Sequence, residues 1–275
     1  MARGRHSFGR GLVLDRAVTR DADLTVGRVF APTATTREAA AVQAIPWIRN
    51  QGSSPSCVGQ ALAACVDAMT DSRPACSAVS IWREARRRQG RIERIDEGTR
   101  LEYAIAGLAR RGWDPYVQGE ELDANEAGDQ DDLADELFAA SRTADVVSWQ
   151  RIDLRDMALA ALETAIASGY GVVIGVGIKR DFAEYFSRLQ RQDQPDEVLG
   201  LSAFGRTDDG HALRVVGFEH VLGGHQYIIQ NSWGHGGGCH LPGGKWQSGC
   251  CRMTAGALLS AWDVYAVRLQ NGGAS

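Results

Sequence analysis

The chain has 275 residues, 44% of them hydrophobic and 23% charged, with a net charge of −4. That is enough sequence for a sizeable core, and without an excess of positive charge no nucleic-acid partner is expected. No apolar run approaches the roughly 18 residues that a membrane helix needs, and six cysteines at irregular spacing do not read as a disulfide scaffold.

The N-terminus, MARGRHSFGRGLVLDRAV, is basic but has no apolar h-region. No ordinary secretory signal is therefore expected, and a reducing cytoplasm is the expected setting. Residues 1–45 show no sustained period and read as an extended arm over the surface, a candidate equally for lying across a cleft or for bracing the β-rich half. From Ser56 the apolar positions Val58, Ala61, Leu62, Cys65, Val66 and Met69 fall on one face of a helix, with Ser56 as N-cap and Pro55 fixing the entry. Two further helices are expected in SIWREARRRQG and TRLEYAIAGLARRGW, stopped by Gly90 and Gly112. The acidic stretch 119–136 reads as loop, LRDMALAALETAIASG as a helix and YGVVIGVGI as a buried strand. GHALRVVGFE and HQYIIQNSWG read as paired strands around a turn at Gly223-Gly224. Helices first and strands second predict an α+β protein: a helical part over 46–150 and a β-rich part over 151–275, with a cleft between them.

Cys57 falls in the first turn of the first helix. The N–H groups and macrodipole there favour an anion, and a thiol so placed can drop from a pKa of about 8.5 to between roughly 3.5 and 7.5. Cys65, on the apolar face, reads as a core residue. A nucleophilic thiol needs a base, and the base needs a group to orient it. His211 opens a strand after the polar turn RTDDG, where its ring can project at a sheet edge, and Asn231 ends the partner strand. An amide oxygen there could fix the imidazole tautomer.

Three segments in the right order, NQGSSPSCVGQALAA, GHALRVVGFE and YIIQNSWG, resemble the papain-like cysteine peptidases. Cys57 and His211 are 154 residues apart, close to the spacing of that family. The resemblance spans about residues 45–235. It implies a two-lobed α+β fold, a helical half and a β-barrel-like half with the active-site cleft between them, and a peptide or protein substrate with no cofactor and no metal. It also implies Cys57 as nucleophile, His211 as its acid/base partner, Asn231 as the residue orienting the imidazole, and Gln51 with the Cys57 backbone N–H as the oxyanion hole. Gly98 and Trp233 are the substrate-side candidates, Gly98 for backbone pairing with an extended substrate and Trp233 as a shield over the His–Asn bond. Acyl transfer to an amine, or peptide binding without cleavage, would use the same residues.

Several features depart from the family. Ser54 stands where secreted members carry a disulfide cysteine, Val58 replaces the usual Trp, and HGGGCHLPGGKWQSGCC stands where a second Trp-Gly is usual. The region 1–45 is too short for the large helical pro-domain of lysosomal members, so the resemblance is to a bacterial-type member without one.

Weaker signals carry bland expectations. His235, Cys239, His240, Cys250 and Cys251 match none of the usual zinc spacings and read as thiols and imidazoles in a loop. DANEAGDQDDLA has Ala127 and Ala134 where a calcium loop needs side-chain oxygens, and GGKW lacks the rest of a phosphate loop.

Overall fold

The computed structural model of the protein describes residues 28–29, 39–70, 74–90, 98–116, 146–154, 158–205 and 210–270. Most of the N-terminal arm, the acidic stretch 119–136 and the turn at 206–209 lie outside the described residues. Three helices lead: α1 (Cys57–Thr70), α2 (Ala78–Arg88) and α3 (Leu101–Arg111). α4 (Ala158–Ala167), α5 (Arg180–Ser187) and the short α6 (Ala255–Leu258) are interleaved with strands later in the chain.

The strands are β1 (Arg28–Val29), β2 (Ala40–Val42), β3 (Val146–Arg151), β4 (Gly171–Gly177), β5 (Val198–Leu199), β6 (Gly210–Val221), β7 (Gly224–Gln230), β8 (Gly238–His240), β9 (Trp246–Ser248), β10 (Cys250–Thr254) and β11 (Asp263–Gln270). Nine of them form one sheet in the order β1-β3-β11-β4-β6-β7-β10-β5, with β2 added alongside β6. β8 and β9 form a separate pair. The expectation of a barrel-like half is corrected here. Among the described residues the sheet is open, because its two ends, β1 and β5, are two-residue strands paired in parallel to β3 and β10 and not to each other.

The inner strands are apolar on both faces because helices cover both. On β4, Val172, Ile174 and Val176 join a core with α4, α5 and α6, whereas Val173 joins the core of α1, α2 and α3. β11 divides in the same way, with Val264 and Ala266 to the first core and Tyr265 and Val267 to the second. Side chains alternate across a strand, so two-sided cover produces the unbroken apolar run GVVIGVG.

The end of the expected arm is part of this sheet. Ala40, Ala41 and Val42 pair with Glu219, Phe218 and Gly217 of β6. β6 shifts register between Val215 and Gly217, and the approach of β2 requires Gly217: a Cβ there would lie 2.5 Å from the Ala41 carbonyl oxygen. Gln43 then donates to the carbonyl of Ile166, while Arg214 on β6 donates to Gln43 Oε1, the Ala44 carbonyl and Gln230 Oε1. Residues 39–44 thus brace the sheet.

α1 starts where the spacing places it, with the Ser56 carbonyl accepting from Gln60 N at 3.0 Å. Its last turn carries Asp67, an unfavourable charge near a helix C-terminus. Arg49 compensates it at 2.8 Å, both side chains being 1% exposed. Arg49 also donates to the Cys76 carbonyl, and the second Asp67 oxygen accepts from Ala75 N. Removing one partner of such a buried pair strands the other charge, at a cost of about 3–5 kcal/mol. Asp67→Ala should therefore lower the unfolding free energy by about that amount in urea, and Arg49→Met with Asp67→Leu should recover part of it. A loss below about 1 kcal/mol, the range of an exposed pair, would show that the pair is solvated in solution.

Candidate active site

Cys57 is the first residue of α1 and is fully buried. It shares the helical core with Ala212, the neighbour of His211 on β6. His211 is also fully buried. β6 lies between β4 and β7, and Val176 pairs with His211. The ring therefore stands near the end of an inner strand and not at a sheet edge, because the two-sided apolar β4 occupies the place beside it.

Asn231 follows β7 directly and its Oδ1 lies 2.8 Å from His211 Nε2. The same oxygen accepts from Ser232 N at 2.8 Å. The Ser232 N–H identifies this atom as the carbonyl oxygen of the amide, so the His211 Nε2 facing it has to be the donor. His211 therefore carries its proton on Nε2 and turns a basic Nδ1 the other way. That Nδ1 is buried without a hydrogen-bond partner, as is Asn231 Nδ2. Each orphaned polar atom costs on the order of 1–3 kcal/mol.

Trp233 is buried at 7% exposure, with its ring centroid 4.9 Å from that of His211. Phe182 of α5 packs edge-on against both rings, at 5.3 Å from Trp233 and 5.9 Å from His211. These rings pack against the imidazole and help to desolvate it. Burial pushes the His211 pKa down to about 4, the Asn231 hydrogen bond opposing it only in part.

A short antiparallel contact joins this end of the sheet to the segment ahead of α1. Asn50 pairs with Trp233, Gln51 N donates to the Ser232 carbonyl at 2.8 Å, and Gly234 N donates to the Arg49 carbonyl at 3.0 Å. The Gln51 side chain is held at both ends: Oε1 accepts from Ser232 Oγ at 2.6 Å, and Nε2 donates to the Ser54 carbonyl at 2.8 Å. Sequence reading gave no separate role to Ser232 or Ser54; their places beside Asn231 and between Gln51 and Cys57 were the available signal. Gly98 is buried three residues before α3.

The other cysteines are all buried thiols. Burial raises Cys65 to about 11 and Cys239 to about 12, and it raises Cys250 and Cys251 well above the ordinary thiol range. Cys239 lies on β8 and Cys250 and Cys251 on β10, so the loop expected for them is corrected to short strands packed into the core.

The structure is similar to solved cysteine protease structures. Xylellain from Xylella fastidiosa matches with a TM-score of 0.63 at 18% identity, over 98% of each chain. A digestive procathepsin L 3 of Tenebrio molitor larval midgut matches with a TM-score of 0.58 at 14% identity, over 94% of this chain and 76% of that one. Bromelain from Ananas comosus, in complex with the E64 inhibitor, matches with a TM-score of 0.57 at 14% identity, over 85% of this chain and 100% of that one. No family model and no curated protein sequence matches the chain. The fold is papain-like.

A buried neutral imidazole makes stability depend on pH with a definite sign. With the folded pKa near 4 and the unfolded one about 6.5, the unfolded chain binds the extra proton between those values. Stability is then lost as pH falls through that window, by up to about 3 kcal/mol for this group. In a Cys57→Ala chain, which has no thiol at the head of α1, urea unfolding at pH 7, 5.5 and 4 should show this loss. Adding His211→Gln should flatten it relative to Cys57→Ala alone; parallel curves for the two chains would mean that His211 titrates normally.

Proposed function

We propose that this chain is a cysteine peptidase that hydrolyses peptide bonds in a peptide or protein substrate, with Cys57 as nucleophile and His211 as acid and base. Asn231 positions the imidazole and Gln51 supplies an oxyanion donor. The observation that carries this reading is the 2.8 Å bond from His211 Nε2 to Asn231 Oδ1, which leaves a buried, basic Nδ1 on the opposite side of the ring.

In this mechanism the Cys57 proton passes to His211 Nδ1. Burial by itself keeps the ring neutral, so imidazolium and thiolate form together, each offsetting the desolvation of the other. The thiolate sulfur attacks the substrate carbonyl carbon and the carbonyl π electrons move to oxygen. The Cys57 backbone N–H, at the head of α1, and an N–H of Gln51 Nε2 stabilise the oxyanion. The amide nitrogen takes the proton from His211 as the C–N bond breaks, which leaves a thioester on Cys57. Water then loses a proton to His211, adds to the thioester carbonyl, and the acid departs as the thiolate reforms. Cys57 and His211 are both fully buried.

At about pH 5.5 a thiol of pKa near 8.5 is ionised to roughly one part in a thousand. Iodoacetamide at that pH should label Cys57 first, because the helix head and His211 favour its thiolate, while burial raises the pKa of Cys65, Cys239, Cys250 and Cys251. Peptide mapping would read the selectivity, and Cys57→Ala should lack both the label and turnover of a mixed peptide library. Turnover surviving in Cys57→Ala rules the mechanism out.

Gln51→Ala should lower kcat by about 10²-fold with little change in KM, since its bond matters mainly in the transition state. Ser232→Ala, which frees only the far end of the Gln51 amide, should give a smaller loss of the same kind. A change confined to KM would assign Gln51 to substrate binding.

A further inference from the structure

At the far end of β6 from His211, a second cluster of polar side chains converges. His220 and His225 are direct cross-strand partners at the closing end of the β6–β7 hairpin, with ring centroids 4.2 Å apart. Both rings face Glu163 of α4, a carboxylate whose side chain is only 5% exposed. Glu163 Oε2 lies 3.1 Å from His220 Nε2, and Oε1 lies 2.7 Å from His225 Nδ1. Tyr227, two residues along β7, donates its hydroxyl to Glu163 Oε1 at 2.9 Å. One ligand atom from each of Glu163, His220 and His225 lies within 4.8 Å of the others, the one such group among the described residues.

We propose that Glu163, His220 and His225 bind a zinc-class divalent transition-metal ion. Two imidazoles and one carboxylate suit Zn2+ better than Ca2+ or Mg2+, which prefer all-oxygen shells. Zinc bonds to nitrogen and oxygen run about 2.0–2.2 Å, so tetrahedral ligand atoms sit roughly 3.5 Å apart. The two carboxylate–imidazole gaps are 2.7 and 3.1 Å and all three ligand atoms lie within 4.8 Å of one another, so the ion enters if the side chains shift by about an ångström. They have room to do so, since His220 and His225 are 37% and 40% exposed. That exposure also gives the ion its entry path and leaves the fourth position to water.

The surroundings fit a held ligand set. The Tyr227 hydroxyl donates to Glu163 Oε1, the oxygen that also meets His225, and orients the carboxylate as outer-shell donors do at zinc sites. A carboxylate this deeply buried is costly without a compensating charge, and a divalent ion supplies that charge. His220 N is in turn bonded to the Ala39 carbonyl at 2.7 Å. A bound ion therefore ties α4, the β6–β7 hairpin and the bracing segment into one unit. His211 and His220 are nine positions apart on one strand, about 30 Å at strand rise, so the ion stabilises the fold and takes no part at Cys57.

The test is Co2+ and Zn2+ titration of the full chain after chelator treatment, with thermal unfolding read alongside. The wild type should bind one equivalent, show Co2+ bands of a nitrogen–oxygen site without a thiolate charge-transfer band, and gain thermal stability. His220→Gln and His225→Gln, which alter half-exposed rings and leave the core intact, should each weaken binding by at least about 100-fold, and Tyr227→Phe by about 10-fold, the range of lost outer-shell partners. Equal affinity in wild type and both His variants, a thiolate band, or no binding by the wild type overturns the proposal. Circular dichroism of each variant confirms that it remains folded.

Discussion

The candidate site depends on one short backbone contact between two segments that are distant in sequence. Asn50 pairs with Trp233, Gln51 N with the Ser232 carbonyl, and Gly234 N with the Arg49 carbonyl. This contact fixes Gln51, and through it the turn into α1, against the residues that hold His211. Its helical end is anchored by Arg49, whose guanidinium is buried against Asp67 in the last turn of α1. The same helix thus carries Cys57 at its head and, near its tail, the ion pair that aligns the approach to that head. A buried ion pair stabilises weakly against an apolar replacement of the same shape, but it accepts few alternative geometries. In this fold the geometry is what the site needs.

The sheet supplies the other half of that rigidity. β4, β6 and β11 send alternate side chains into two separate cores, so no inner strand can shift by one residue without exchanging its faces. His211 is positioned by such a strand, and Asn231 by the neighbouring one. A side chain on an inner strand and one directly after its neighbour hold a bond of 2.8 Å more closely than a free loop would. Trp233 and Phe182 then pack around the ring, whose burial lowers the imidazole pKa.

The remaining buried polar groups have a consistent pattern. Asp67 and Glu163 are carboxylates out of solvent, and each is met by several donors: Asp67 by Arg49 and Ala75, Glu163 by His220, His225 and Tyr227. Arg214 is a buried cation met by Gln43, Ala44 and Gln230. In each case the donors and acceptors come from different elements, so burying one charge joins several segments. Among the thiols, burial in the core makes Cys65, Cys239, Cys250 and Cys251 poor nucleophiles, while Cys57 alone sits at a helix head.

By itself the sequence determined the features that are local. The helical spacing of Val58 to Met69 defined α1, GVVIGVG defined a buried strand, Gly223-Gly224 marked a hairpin, and the order of NQGSSPSCVGQALAA, GHALRVVGFE and YIIQNSWG pointed to a papain-like fold. β3, β10, β11 and α5 were not legible, because their residues are short runs or are buried on two faces and so show no clean alternation. The open sheet in place of a barrel was a matter of which strands meet at the ends, and local propensity does not encode that. At the site, the residue types and spacing of Cys57, His211, Asn231 and Gln51 could be read directly. Their fine positioning could not. Ser232 on Gln51, Arg49 on Asp67, and Glu163 between His220 and His225 are contacts between side chains from different elements, and only the packing of helices on the sheet brings them within bonding distance.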